Sequence, residues 1–272
     1  MQRREMLMTT LVAGFTLACP RAEAAPIETP ATGLATGETK IPTALGSLPA
    51  YFARPVGAGP FPVILVTEEI FGVHEYIRDI CRRLAHQGFF AVAAEYYARI
   101  GDLANMTDVH RIISEVILKT PDAQMMDDMD HVVTWAVRHG GDLARLGIIG
   151  FCRGGRQVWL YAAHQKRLRA AVAFYGPLSG QRSAIQPHTA LDVVGRINCP
   201  LLALYGGQDS GIPASDRAEM QARARAAGRT VAVVVYPEAG HGFHADYRPS
   251  YDAHAAQDGW ARALAWFRQH GV

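Results

Sequence analysis

Leu146-Gly-Ile-Ile-Gly150-Phe-Cys152-Arg-Gly154-Gly155 decides how this chain is read. A compact apolar run leads into it, and a helical pattern, Arg156-Gln-Val-Trp-Leu-Tyr-Ala-Ala, leads out. The stretch therefore predicts a strand, a sharp turn and a helix. In that setting G-x-C-x-G-G has the form of a nucleophile elbow, G-x-S-x-G, with cysteine in the serine position. A residue lifted onto a strained turn brings the positions two before and two after it against strand and helix, so both must lack side chains. Gly150 and Gly154 meet that demand. The thiol then lies over the first turn of a helix, whose positive end favours a thiolate. The following backbone N–H, that of Arg153, faces a developing oxyanion. A glycine-rich strand-to-helix turn holding one buried cysteine is also a common plain connection, so the rest of the chain has to supply the partners.

The bulk properties limit what those partners serve. The chain has 272 residues, 49% of them apolar and 19% charged, with a net charge of +2 and no block of like charge. That is the make-up of one large globular domain, and it offers no basic patch for nucleic acid or for a membrane surface. The four cysteines, Cys19, Cys81, Cys152 and Cys199, are not at metal-ligand spacing, so no metal and no cofactor is expected.

Outward from the elbow the pattern is α/β. Residues 1–24 read as a targeting segment: Arg3-Arg4, an apolar stretch from Leu7 to Ala18, then Ala22-Glu-Ala24 as a cleavage site. The arginine pair has the form of a twin-arginine signal, which places the mature protein in the periplasm or outside the cell through the export machinery; a Sec signal, or a cytoplasmic protein with a plain N-terminal helix, is the alternative. Residues 25–40 have the composition of a flexible linker, and 41–272 form the domain. Leu48–Pro55 reads as an edge strand flanked by prolines, and Phe61–Thr67 as a strand buried on both faces. Helices are predicted over 74–87, 107–118, 122–139, 213–227 and 251–270, with strands at 89–94, 170–175, 201–205 and 231–236. This unbroken alternation predicts a mostly parallel central sheet with helices on both faces.

In such a sheet, functional groups gather beyond the carboxyl ends of the strands. Two acceptable partners for Cys152 stand there: Asp209 in Tyr205-Gly-Gly-Gln-Asp209, and His241 in Tyr236-Pro-Glu-Ala-Gly-His241. The order Cys, Asp, His is that of α/β-hydrolase triads. His241 would take the thiol proton and Asp209 would fix its tautomer. Taken singly, the aspartate reads equally as a turn residue and the histidine as structural.

Together, Glu69-Ile-Phe-Gly-Val-His74, Tyr97-Ala-Arg99, Gly150-Phe-Cys-Arg-Gly-Gly, Gly206-Gly-Gln-Asp209 and Gly240-His-Gly-Phe243 resemble the dienelactone hydrolase (carboxymethylenebutenolidase) family of the α/β-hydrolase fold, over residue 41 to the C-terminus. The resemblance implies a hydrolase of small esters or lactones with Cys152 as nucleophile, His241 as base and Asp209 as its orienter. It implies that Glu69 contacts the cysteine and keeps it poorly reactive until substrate arrives, and that the N–H of Ile70 joins that of Arg153 in the oxyanion hole. A carboxylate beside a thiol does disfavour the thiolate. Glu69 reads otherwise as an ion-pair partner of Arg99 or Arg153, and Glu68, on the opposite side by strand alternation, as structural. The family's substrate-gripping arginine a few residues after the catalytic histidine has no counterpart in Gly-Phe-His244-Ala245, and the next arginine is Arg248. Arg99, Arg111 and Arg248 are the remaining candidates for substrate binding, and Arg111 and Arg248 read equally as solvated surface residues. Two other classes fit the same residues: a redox-active thiol protein working through Cys152, and a ligand-binding protein on the hydrolase scaffold without turnover.

Overall fold

The computed structural model describes residues 26–272, and the targeting segment at 1–24, with Cys19, lies outside them. Eight strands form one sheet in the order β1-β2-β4-β3-β5-β6-β7-β8. They are β1 (Leu34–Thr43), β2 (Gly46–Pro55), β3 (Phe61–Thr67), β4 (Phe90–Ala94), β5 (Gly141–Phe151), β6 (Leu168–Phe174), β7 (Leu201–Gly206) and β8 (Val231–Tyr236). β1 with β2 and β2 with β4 run antiparallel, and every later pairing is parallel. The interior strands β3, β4, β6 and β7, and β5 from Leu146 onward, are apolar nearly throughout because both faces are covered.

Five long helices do the covering: α1 (Glu75–His86), α2 (Asp122–Arg138), α3 (Arg153–His164), α4 (Ala214–Ala226) and α5 (Ala253–Gln269). Phe89, just past α1, packs edge-on against Phe267 of α5, joining those two helices on one face. On the other face Asp130 of α2 accepts hydrogen bonds from Tyr161 and Gln165 at the end of α3, both 2.8 Å. This is the α/β-hydrolase arrangement with helices on both faces. Among the described residues no helix is long and apolar enough to cross a membrane.

The sequence reading departs from the structure in two places. Leu34–Lys40, expected within a flexible linker, belongs to β1, and β1 rather than Leu48–Pro55 is the sheet's edge. β1 carries glycine, threonine, proline and charge, the composition tolerated on an edge that faces solvent. Its ladder with β2 places Leu48–Pro55 inside the sheet. The helix expected over 107–118 is instead a short α-turn at Val109–Arg111, a π-turn at Ile112–Val116 and a 3₁₀-turn at Ile117–Lys119. The wide turn lets Ile112, Ile113, Val116 and Ile117 all be buried.

Candidate active site

Strand β5 ends at Phe151, and the chain turns into α3 through Cys152, whose backbone has φ 53° and ψ −117°. That is the left-handed region, which a side-chain-bearing residue occupies only when its surroundings enforce it. The enforcement is visible. Cys152 N donates to Phe174 O of β6 at 3.0 Å, and the Thr67 hydroxyl donates to Gly154 O at 3.0 Å. A Cβ at Gly150 would come within 2.4 Å of Gly154 O, and one at Gly154 within 2.3 Å of Thr67 O. The two glycines are therefore required by contact with neighbouring backbone, as the motif predicts.

His241 arrives from the loop after β8 and sets its Nε2 3.2 Å from the Cys152 sulfur. Its Nδ1–H donates to Asp209 Oδ2 at 2.7 Å. Asp209 stands after β7, buried, with its other oxygen accepting from Gly211 N at 2.9 Å. The hydrogen bond to Asp209 fixes the proton on Nδ1 and turns Nε2 toward sulfur. Burial by itself would lower the pKa of His241, but the neighbouring Cys152 sulfur and Asp209 outweigh it and raise the value to about 10. The arrangement thus stabilises the imidazolium that forms when the ring takes a proton from sulfur. Ile70 and Arg153, the expected oxyanion-hole residues, line the same cleft as Cys152.

Glu69 is fully buried just beyond the end of β3. Tyr247 donates its hydroxyl hydrogen to Oε2 at 2.5 Å, and Arg248 Nη2 lies 3.2 Å from Oε1. His74 Nε2 is 3.7 Å from Oε2. Burial pushes the Glu69 pKa up, but Arg248, His74 and Tyr247 together overcome that and hold it at about 2. Neither Arg99 nor Arg153, its alternative partners in the sequence reading, pairs with it: Arg99 holds Asp128 and Arg153 holds Gln186. Glu68 behaves as expected of a structural residue: its Oε1 accepts from Tyr96 N at 3.0 Å, and burial holds its pKa well above the usual carboxylate range.

The three substrate-binding candidates separate cleanly. Arg99 is spent on Asp128 (2.5 and 3.0 Å) and on the Thr43 hydroxyl, clamping the β1–β2 hairpin to α2, away from the cleft. Arg111 is exposed and pairs with Glu115 one turn along at 3.0 Å. Neither lines the cleft that holds Cys152, and each guanidinium has its own carboxylate. Arg248 is buried rather than solvated and reaches the site through Glu69, its guanidinium over the rings of Phe71 and Tyr247 at 5.2 Å.

Sequence reasoning missed Tyr247, His74 as a Glu69 neighbour, and a buried polar pair beneath them. Tyr76 OH donates to His244 Nδ1 at 2.7 Å, and burial depresses the His244 pKa to about 3. Cys81 and Cys199 are buried free thiols; burial raises the pKa of both, to about 12 for Cys199. The cleft itself, about 100 Å³, is walled by Ile70, Ile113, Ile117, Leu118 and Pro177, with Gln186 and Thr189 among its polar groups.

The dienelactone hydrolase family model matches residues 48–271. This chain belongs to the dienelactone hydrolase family. A protein of Methylorubrum extorquens provisionally named carboxymethylenebutenolidase is 54% identical over 274 residues, covering 100% of this chain and 94% of the relative. One of Escherichia coli with the same provisional name is 48% identical over 266 residues, covering 97% and 98%. A crystal structure described provisionally as a dienelactone hydrolase, from Klebsiella pneumoniae, is 51% identical, with a TM-score of 0.85, covering 87% of this chain and 99% of that one. The family member described here therefore carries the expected fold, with a cysteine at the elbow.

Proposed function

We propose that the chain is a cysteine hydrolase of small esters or lactones, working through a Cys152–His241–Asp209 triad and an acyl-thioester intermediate. The observation that carries this reading is the continuous line from Asp209 through the imidazole to sulfur, 2.7 Å then 3.2 Å, at a left-handed elbow. His241 Nε2 takes the thiol proton as sulfur attacks the acyl carbon. The tetrahedral oxyanion forms between the backbone N–H groups of Ile70 and Arg153. Collapse breaks the ester C–O bond, and the imidazolium returns the proton to the leaving alkoxide. Water, deprotonated by His241, then attacks the thioester, and the released thiolate is reprotonated from the imidazolium. In a lactone the alkoxide stays tethered to the acyl group until that second step.

Glu69 in this scheme is a positioning residue. Neutralised by Arg248 and hydrogen-bonded by Tyr247, it leaves the imidazole, 3.2 Å from sulfur, to move the proton. The test is turnover of an activated acetate ester with mass spectrometry of the trapped enzyme. An acyl adduct on Cys152, lost together with turnover in Cys152→Ala, is the expected result. Full activity of Cys152→Ala sinks the mechanism.

For the precursor, the Arg3-Arg4 pair, the apolar Leu7–Ala18 stretch and Ala22-Glu-Ala24 support export by the twin-arginine route. Fractionation of cells carrying Arg3→Lys with Arg4→Lys is the measurement, and retention of the variant inside the cytoplasm is the expected outcome.

A further inference from the structure

The sheet has two edges, and they are finished differently. β1 closes one side with Thr36, Glu38, Thr39, Lys40 and Pro42, residues that discourage pairing with another strand. β8 closes the other with Val231-Ala-Val-Val-Val-Tyr236, which has no charge, no proline and no shift of register against β7. Val231 to Val234 are half-buried and Val235 is 39% exposed. An apolar, regular edge left open in this way is a template for a further strand.

The β7–β8 ladder shows which backbone groups such a strand would meet. Leu201 N donates to Thr230 O at 3.0 Å, and Gly207 N donates to Tyr236 O at 2.7 Å. Along a strand, the groups turned to one neighbour alternate with those turned to the other. Thr230, Ala232, Val234 and Tyr236 therefore spend theirs on β7, and the N–H and C=O groups of Val231, Val233 and Val235 point out of the sheet. Among the described residues no backbone hydrogen bond reaches those three from the open side.

This pattern is its own complement. Two antiparallel copies of β8 about a two-fold axis at Val233 set Val233 opposite Val233 and Val231 opposite Val235, so every outward group faces an outward group of the other chain. Centring the axis at Val234 instead would set Val231 against Pro237, which has no N–H. The flanking charges fit the same direction. Exposed Arg229 precedes the strand and exposed Glu238 follows it, so antiparallel pairing brings opposite charges together at each end, where parallel pairing would set like beside like.

We infer that the chain pairs through β8 with a second copy of itself, forming a two-fold dimer in which one sheet runs through both chains. The blunt β1 edges stop the assembly at two. A strand edge alone falls short of the roughly 800 Å² per partner of a stable interface. α4, packed against β8, is carried to its own copy across the axis and supplies the remainder. None of these residues lines the Cys152 cleft, and the pairing does not depend on hydrolysis.

Sedimentation velocity of the unmutated protein at micromolar concentration decides the state: a species of two chains is expected, and a single chain overturns the inference. Two variants locate the contact. Val233→Pro removes one outward N–H and no bond to β7, the placement at which an edge strand accepts proline. Val235→Lys sets a charge on the edge at a side chain already exposed, and keeps the test open if the proline variant does not fold. Each is expected to raise the dimer dissociation constant at least about tenfold with native near-UV circular dichroism. A natively folded variant of either kind that pairs as tightly as its parent overturns the inference. Arg229→Glu and Glu238→Arg test direction: each alone is expected to weaken the dimer about threefold or more, and the two together to restore it. A double variant as weak as either single one overturns the antiparallel pairing.

Discussion

Two buried acid–base clusters flank the Cys152 sulfur, and they are built to opposite ends. On the β7–β8 side, Asp209 and His241 form a line that ends on sulfur with the imidazole pKa raised. On the β3 side, Glu69 is closed off by Tyr247, Arg248 and His74, with its pKa lowered. Both are charged, buried and close to the elbow. Only the first ends in an atom that faces the sulfur with a proton to give or take. The second sets a guanidinium against its carboxylate, with the sulfur also within reach of that cation's charge. Proximity to a nucleophile therefore does not make a titratable group part of the chemistry; what its atoms already hold decides it.

Substitutions on the two sides should separate rate from stability. Cys152→Ala is expected to remove turnover entirely, with little loss of stability, as read by ester hydrolysis and thermal melting. Asp209→Asn keeps the shape of the triad but frees the imidazole to take the wrong tautomer, and kcat is expected to fall by about 10³ to 10⁴. Arg248→Met acts on the other cluster. It leaves Glu69 buried without its cation, which typically costs about 3–5 kcal/mol of stability, measured by denaturant unfolding. Pairing it with Glu69→Gln should recover much of that loss, because the uncompensated charge goes too.

Acid should tell the clusters apart more gently. His244 titrates near 3 folded against the ordinary 6.5, so the unfolded chain binds more protons in that window and stability falls as pH drops through it, by up to about 1.4 kcal/mol per pH unit. Glu69, depressed from 4.5 to about 2, adds stability that is present above 4.5 and lost toward 2. His241 has the opposite sign: its contribution is full below 6.5 and disappears as pH rises toward 10. Unfolding measured at pH 6 and pH 4 should show a clear loss at the lower value, and a smaller one in His244→Gln. A thiol reagent offers the least demanding check. Native protein should be modified at Cys152 while Cys81 and Cys199, buried with raised pKa values, react only after unfolding.

What could be read from the sequence followed the strands. The elbow, Asp209 and His241 sit at fixed offsets from apolar runs, so their convergence follows from a parallel sheet whose strand ends share one edge. The helices beginning near 75, 122, 214 and 253 were visible from their spacing. The residues that escaped do not depend on periodicity. Tyr247 and Arg248 lie in a stretch of turns between β8 and α5, where composition suggests solvent; tertiary folding buries Arg248 and half-buries Tyr247 against Glu69. Gln186 occupies a loop with no pattern of its own, and its role exists only because the π-turn at Ile112–Val116 leads into backbone carbonyls that its amide can hold. β1 was missed because an edge strand facing water need not alternate. Its partner β2 supplies the order.

The loop from Gly240 to Asp252 carries parts of both clusters. His241 stands at one end and Tyr247–Arg248 at the other, with successive turns at Ala245→Gly242 and Arg248→Ala245 between them and Asp252 N tied back to Phe243 O at 3.0 Å. One short cassette thus delivers the imidazole to the sulfur and the counterweight to the glutamate. Transplanting it whole into a relative would carry both across together, whereas an insertion within it would shift both at once. The reactivity of the thiol and the quieting of its acidic neighbour are inherited as a unit.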